Sequence, residues 1–212
     1  MKKSQILARL EAAGVVAVVR ENNTASALEA AKAVVAGGIH GLEVTFSVPN
    51  ADQVIAKLKE IYQADQAVVV GAGTVLDAVT ARLAIMAGAE FVVSPSFDQA
   101  TAELCNLYQV PYLPGCMTIT EMQRAMISGA EVVKLFPANN FDPQFIKSVQ
   151  APLPQINLMP TGGINLANLL AWKQAGALMV GVGGNLFKGV ADQDYEKVTE
   201  TAREYMAKWR EE

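Results

Sequence analysis

Eight short apolar runs, each separated from the next by a stretch of helical character, recur from one end of this sequence to the other. The runs cover residues 15–20, 41–46, 67–73, 91–95, 112–115, 132–137, 157–161 and 178–183. The helical stretches between them cover 24–36, 51–62, 76–87, 99–108, 119–127, 143–149 and 165–174. Strands this apolar along their whole length have no solvated face, so they fit a parallel sheet covered on both sides. The ends read as further helices: Met1 to Leu7 runs into one with Leu7 and Leu10 on a common face, and Tyr195 to Glu212 is amphipathic.

A repeat supports the count. Ala36-Gly37-Gly38-Ile39, Ala87-Gly88-Ala89-Glu90, Ser128-Gly129-Ala130-Glu131 and Ala175-Gly176-Ala177-Leu178 each end a helix on glycine and enter a strand. Glycine there supplies the left-handed residue that stops a helix. The copies recur about every two strand–helix units, a fourfold pattern that suits a sheet closing on itself. The expected fold is a (β/α)8 (TIM) barrel with an N-terminal helix, a single domain over residues 1–212, with an open doubly wound sheet as the alternative.

The run Glu131-Val132-Val133-Lys134-Leu135-Phe136-Pro137 places a lysine inside an otherwise apolar strand. Burial withdraws solvation from an ammonium, and the neutral amine is the form that attacks carbonyl carbon. Lys134 is therefore a candidate Schiff-base nucleophile; the bland alternative is a strand-end lysine that reaches solvent or pairs with a carboxylate. Alternation along 41–46 puts Glu43 and Thr45 on one face, against Leu42, Val44 and Phe46 on the other. If the apolar face packs on helices, Glu43 points into the barrel, as Lys134 does, and can move protons for imine chemistry. A buried ion pair with no catalytic part is the competing reading.

Barrel active sites lie at the carboxyl ends of the strands. Arg20, Thr74, Ser94, Pro95 and Thr161 end or follow strands there, and Phe136 shares the face of Lys134. Arg20 could clamp a carboxylate with Thr74 beside it, or else pair with Glu21 or Glu43. Thr161-Gly162-Gly163, with Asn165 as a helix cap, and Gly183-Gly184-Asn185 follow the seventh and eighth runs. Glycines there let backbone N–H groups approach an anion, and these loops often hold phosphate in barrels. A net charge of −4 without a basic block argues against nucleic acid, and no apolar run is long enough to span a membrane. One histidine, His40, expected at the opposite end of the barrel, and two cysteines, Cys105 and Cys116, outside any CxxC pair argue against a tightly held metal. A cytoplasmic protein is expected.

Leu42-Glu43-Val44-Thr45, Gly71-Ala72-Gly73-Thr74-Val75, Ser94-Pro95, Val133-Lys134-Leu135-Phe136-Pro137-Ala138 and Pro160-Thr161-Gly162-Gly163 together resemble the class I 2-keto-3-deoxy-6-phosphogluconate (KDPG) aldolase family. That family includes 4-hydroxy-2-oxoglutarate (KHG) aldolases and a phosphogalactonate homologue. The resemblance covers almost the whole chain. It implies a barrel, commonly a homotrimer, that cleaves an aldol to pyruvate and an aldehyde (glyceraldehyde 3-phosphate from KDPG, glyoxylate from KHG) without metal or other cofactor. It further implies that Lys134 forms the imine and Glu43 is the general acid/base. Thr74, Pro95, Phe136 and Thr161 would shape the pyruvate site, and Gly162, Gly163, Gly183 and Gly184 would take the phosphate. Two positions depart from the pattern. Phe46-Ser47-Val48 lacks the arginine that some members carry, which leaves Arg20 as its substitute, and Asn185 stands where a serine commonly follows the last glycine pair. The rivals are a phosphate-binding barrel isomerase or epimerase and a non-catalytic sugar-phosphate-binding barrel.

Overall fold

A computed structural model of the protein describes residues 3–211; Met1, Lys2 and Glu212, which the terminal-helix expectations include, lie outside the described residues. The elements run α1 (Lys3–Ala13), β1 (Val15–Val19), α2 (Thr24–Ala36), β2 (Gly41–Thr45), α3 (Ala51–Ile61), β3 (Val69–Gly73), α4 (Ala78–Met86), β4 (Val92–Val93) and α5 (Gln99–Leu107). They continue with β5 (Tyr112–Leu113), β6 (Gly115–Cys116), α6 (Ile119–Ile127), β7 (Val133–Leu135), α7 (Phe145–Gln150), β8 (Leu158–Pro160), α8 (Leu169–Gln174), β9 (Val180–Val182) and α9 (Tyr195–Arg210).

All paired strands are parallel, in the orders β5-β4-β3-β2-β1-β9 and β6-β7-β8. Two seams join these sheets. At one, β5 and β6 are the halves of a single stave: Pro114 between them has no N–H to give, but its carbonyl still accepts from Lys134 N at 2.9 Å. The expected single strand over 112–115 is therefore broken in its middle. At the other seam, Leu178 N donates to Leu158 O at 3.0 Å, and Thr161 bridges Gly181. The nine strand segments fill the eight positions of a (β/α)8 barrel.

Local chemistry sets the helix limits. Asn23, Asp77 and Asp98 accept from the N–H groups of Ser26, Thr80 and Thr101, and Thr118 forms a reciprocal capping box with Glu121. Asp77 explains why α4 begins at Ala78 rather than at Leu76. Asn165, expected as the cap of the helix after β8, instead caps an irregular turn through Ala167 N (2.9 Å) and Asn168 N (3.2 Å), and α8 starts at Leu169. The four helix-ending glycines hold φ of +96° at Gly38, +97° at Gly88, +89° at Gly129 and +108° at Gly176, as the repeat predicts.

Two apolar clusters follow from strand alternation. Leu42, Val44, Val133 and Leu135 face outward and pack with the helices. Val16, Val69, Phe91, Val93, Leu113, Val132, Met159 and Met179 meet Ile6 and Leu10 of α1 in a second cluster inside the amino-terminal end. The helix α1 thus stoppers that end of the barrel. Arg9 fastens it, bonding Glu90 Oε2 and the carbonyls of Gln66 and Val68, each at 2.7 Å, while Lys3 Nζ reaches Gly129 O at 2.7 Å. His40 lies at this same end, beside Arg9 and Ala13. Among the described residues no helix is long and apolar enough to cross a membrane.

Candidate active site

Above the apolar plug the barrel interior turns polar. Glu43 on β2 and Lys134 on β7 project into it, and Lys134 Nζ stands 3.4 Å from Glu43 Oε1 with both side chains almost fully buried. Room for the carboxylate comes from β3: a Cβ on Gly73 would sit 2.2 Å from Glu43 Oε1. The second carboxylate oxygen, Oε2, has no hydrogen-bond partner among the described residues. A buried acceptor left unpaired is costly unless something else uses it. Phe136 walls the amine, with Lys134 Nζ 5.0 Å from the ring centroid.

Next to this pair, a cavity of about 370 Å³ is bounded by Val18, Arg20, Phe136, Thr161, Gly162, Gly163, Ile164, Gly183, Gly184 and Asn185. Gly162 and Gly163 hold φ of +96° and +76°, which turns their backbone toward it, and Asn139 packs against Gly163 so closely that a Cβ there would be 2.7 Å from its own. Among the described residues no acceptor pairs with the N–H groups of Gly162, Gly163, Gly184 or Asn185. Arg20 is the only formally charged side chain in this wall. Thr161 is buried, and its backbone is tied to Leu135 O and Ala138 N at 3.0 and 2.8 Å.

Arg20 does not make the ion pair weighed for it: it bonds neither Glu21 nor Glu43. Its Nη1 donates to Ser47 Oγ and its Nη2 to Thr74 Oγ1, each at 3.1 Å. Thr74 itself has φ +55°, a left-handed conformation that is strained for a β-branched residue. Pro95 ends the β4 run, and its carbonyl abuts β6, where a Cβ on Gly115 would stand 2.1 Å away. Ser94 shares a 2.7 Å hydrogen bond with the Tyr112 hydroxyl, which also accepts from Asp98 N at 3.2 Å. Burial pushes the Tyr112 phenol up to about 12, so it remains protonated. Burial likewise pushes Cys105 and Cys116 to about 12, which makes neither a thiolate nucleophile near neutrality. Among the described residues no group of three or more His, Cys, Asp or Glu side chains could hold a metal ion. Ser47, Tyr112 and Asn139 escaped the sequence reading; only Ser47 had a signal there, as part of the stretch Phe46-Ser47-Val48 that lacks an arginine.

A buried amine and carboxylate in contact, beside a cavity lined by N–H groups unpaired among the described residues, is an arrangement that can form an imine and hold an anion. The model of the KDPG and KHG aldolase family matches residues 6–201. The chain belongs to that family. A 2-dehydro-3-deoxy-phosphogluconate aldolase of Treponema pallidum is 36% identical over 198 residues, 92% of each chain. A 2-dehydro-3-deoxy-6-phosphogalactonate aldolase of Escherichia coli is 31% identical over 197 residues, 92% of this chain and 94% of that one. Among solved structures, the KDPG aldolase of Legionella pneumophila, with pyruvate captured at low pH as a covalent carbinolamine intermediate, superposes with a TM-score of 0.84. It is 28% identical, and the match covers 95% of this aldolase-family chain and 98% of that one.

Proposed function

We propose that this protein is a class I aldolase that reversibly cleaves KDPG to pyruvate and glyceraldehyde 3-phosphate, with Lys134 as nucleophile and Glu43 as proton shuttle. The observation that carries the proposal is the 3.4 Å contact between Lys134 Nζ and Glu43 Oε1 inside the barrel mouth. The free amine of Lys134 adds to the C2 carbonyl of a 2-keto acid, and loss of water from the carbinolamine gives an iminium ion. The C4 hydroxyl then gives up its proton as the C3–C4 bond breaks, and the bonding pair flows into the iminium to form an enamine. The aldehyde departs, C3 takes a proton, and water returns the imine to amine and pyruvate. Glu43, whose buried Oε2 has no hydrogen-bond partner among the described residues, would carry these protons. Thr74, Pro95 and Phe136 would border the three-carbon fragment, and Thr161 the join between the two regions. The loops at Gly162, Gly163, Gly183 and Gly184 would hold a phosphoryl group through backbone N–H donors.

KHG, the shorter unphosphorylated substrate, and the phosphogalactonate analogue are the alternatives within this chemistry; the phosphogalactonate relative keeps the latter in view. The donor-lined cavity favours a phosphorylated substrate over KHG. A homotrimer working in the cytoplasm completes the proposal. Self-association is supported by the exposed apolar residues Val79, Leu83 and Met86 along α4, with Leu76 just before it, and by exposed Leu107 on α5 and Ile127 on α6.

Borohydride reduction with pyruvate, followed by peptide mapping, tests the mechanism. One reduced pyruvate on the Lys134 peptide, absent in Lys134→Ala, is expected. No adduct on folded protein at high pyruvate would leave a non-catalytic binding barrel as the better reading. Pyruvate release from KDPG, its C4 epimer and KHG then ranks the substrates.

A further inference from the structure

Among the described residues the guanidinium of Arg20 is held by hydroxyls alone, and proton counting gives that arrangement a direction. Thr45 Oγ1 donates its one proton to Val19 O at 3.1 Å. It can therefore only accept at the 2.8 Å contact with Ser47 Oγ, so the Ser47 proton points to Thr45. The lone pairs of Ser47 are left facing Arg20, whose Nη1 donates to them at 3.1 Å. The sequence Arg20 Nη1 to Ser47 to Thr45 to Val19 O thus runs one way, from the guanidinium back to the backbone of the residue before it. Thr45 is fully buried and lies two residues along β2 from Glu43, so the anchor of this chain is as fixed as the catalytic strand. Hydroxyls orient a cation without neutralising it, whereas a carboxylate in their place would cancel the charge. Arg20 keeps N–H donors beyond the two it spends on Ser47 and Thr74, and it borders the cavity as its only formal charge.

We propose that Ser47, with Thr45 behind it, is a positioning residue that aims Arg20 at the cavity as an uncompensated cation for an anionic group of the substrate. The inference rests on the aldolase reading only in taking this cavity as the substrate's. Two groups share the required chemistry: the carboxylate of the keto acid and a phosphoryl group at the far end. Where the stretch Phe46-Ser47-Val48 offers no arginine, this chain would use a hydroxyl to sharpen Arg20.

The test compares the wild type with Ser47→Ala, Ser47→Thr, Arg20→Lys and the Arg20→Lys/Ser47→Ala double variant. Ser47 is exposed, so these changes leave the core intact. Two concentrations are read: pyruvate giving half-maximal borohydride trapping, and inorganic phosphate giving half-saturation in calorimetry. Ser47→Ala is expected to raise one of them roughly tenfold, the size of one hydrogen bond to a charged group. The maximal trapping rate should hold, and Ser47→Thr should restore binding. A shift for pyruvate assigns Arg20 to the carboxylate, and a shift for phosphate assigns it to the phosphoryl group. In the double variant the losses should fall short of additive, because Ser47 acts through Arg20. Unchanged half-saturation for both anions, or additive losses, would overturn the proposal. If the wild type traps no pyruvate, the aldolase reading fails, and the phosphate measurement alone decides the part of Ser47.

Discussion

On the proposed mechanism, single atoms decide the chemistry at Glu43. Because a Cβ on Gly73 would stand 2.2 Å from Oε1, Gly73→Ala must push the carboxylate away from Lys134. We expect it to lower kcat toward the level of Glu43→Gln, about 10²–10⁴-fold below wild type, with the circular dichroism spectrum unchanged. Thr74 offers a contrast. Its φ of +55° suits glycine, so Thr74→Gly should raise stability by about 1 kcal/mol in urea denaturation while weakening anion binding through loss of the hydroxyl that holds Arg20. Glu43 and Lys134 were legible in the sequence because strand alternation has a fixed period, and one polar residue on an apolar strand stands out. Ser47 was legible only as part of a stretch, Phe46-Ser47-Val48, that lacks an arginine. Its partner is 27 residues away, and nothing local says that pairing of β1 with β2 brings the two together.

Among the elements, α1 gives the clearest energetic reading. Its docking rests on Ile6 and Leu10 and on Glu90, whose carboxylate bonds Arg9 and Lys59 at 2.7 Å each. Burial pushes the Glu90 carboxyl up, but the hydrogen bonds and charges of Lys59 and Arg9 outweigh it and leave the group below the ordinary 4.5. A carboxyl depressed in the folded state contributes stability above its unfolded value and loses it as pH falls through the folded value. Glu90→Gln should therefore cost ~1–3 kcal/mol at neutral pH, and the gap should begin to narrow as pH falls below about 4.5 and close below the depressed folded value, as urea midpoints across pH would show. The sequence showed α1 as an apolar face but not its target, since the barrel floor is assembled from seven of the eight separate staves. The strand over 112–115 was legible as apolar, but its break was not, because only the ladder geometry makes the missing N–H of Pro114 matter.

At the scale of the whole molecule, the repeat of glycine-ended helices announced closure, and both hydrogen-bonded seams deliver it. The outer surface was less legible, since a stripe at helical spacing reads equally as buried core. On α4 that stripe is solvent-exposed in the single chain. If the proposed homotrimer forms through this stripe, Leu83→Glu reduces the mass measured by light scattering from a trimer to a monomer; a wild-type monomer would overturn the trimer, and a trimer that survives the substitution would overturn this contact. The stoppered floor also makes the barrel a cup with one doorway. On the proposed chemistry, the aldehyde is untethered after cleavage and nearer the rim, so it leaves first, while the three-carbon fragment stays moored to Lys134 deeper in the cul-de-sac. Any aldehyde that wanders in during that interval meets a waiting carbon nucleophile. Whether the cup breaks bonds or makes them then depends on the queue at its single doorway.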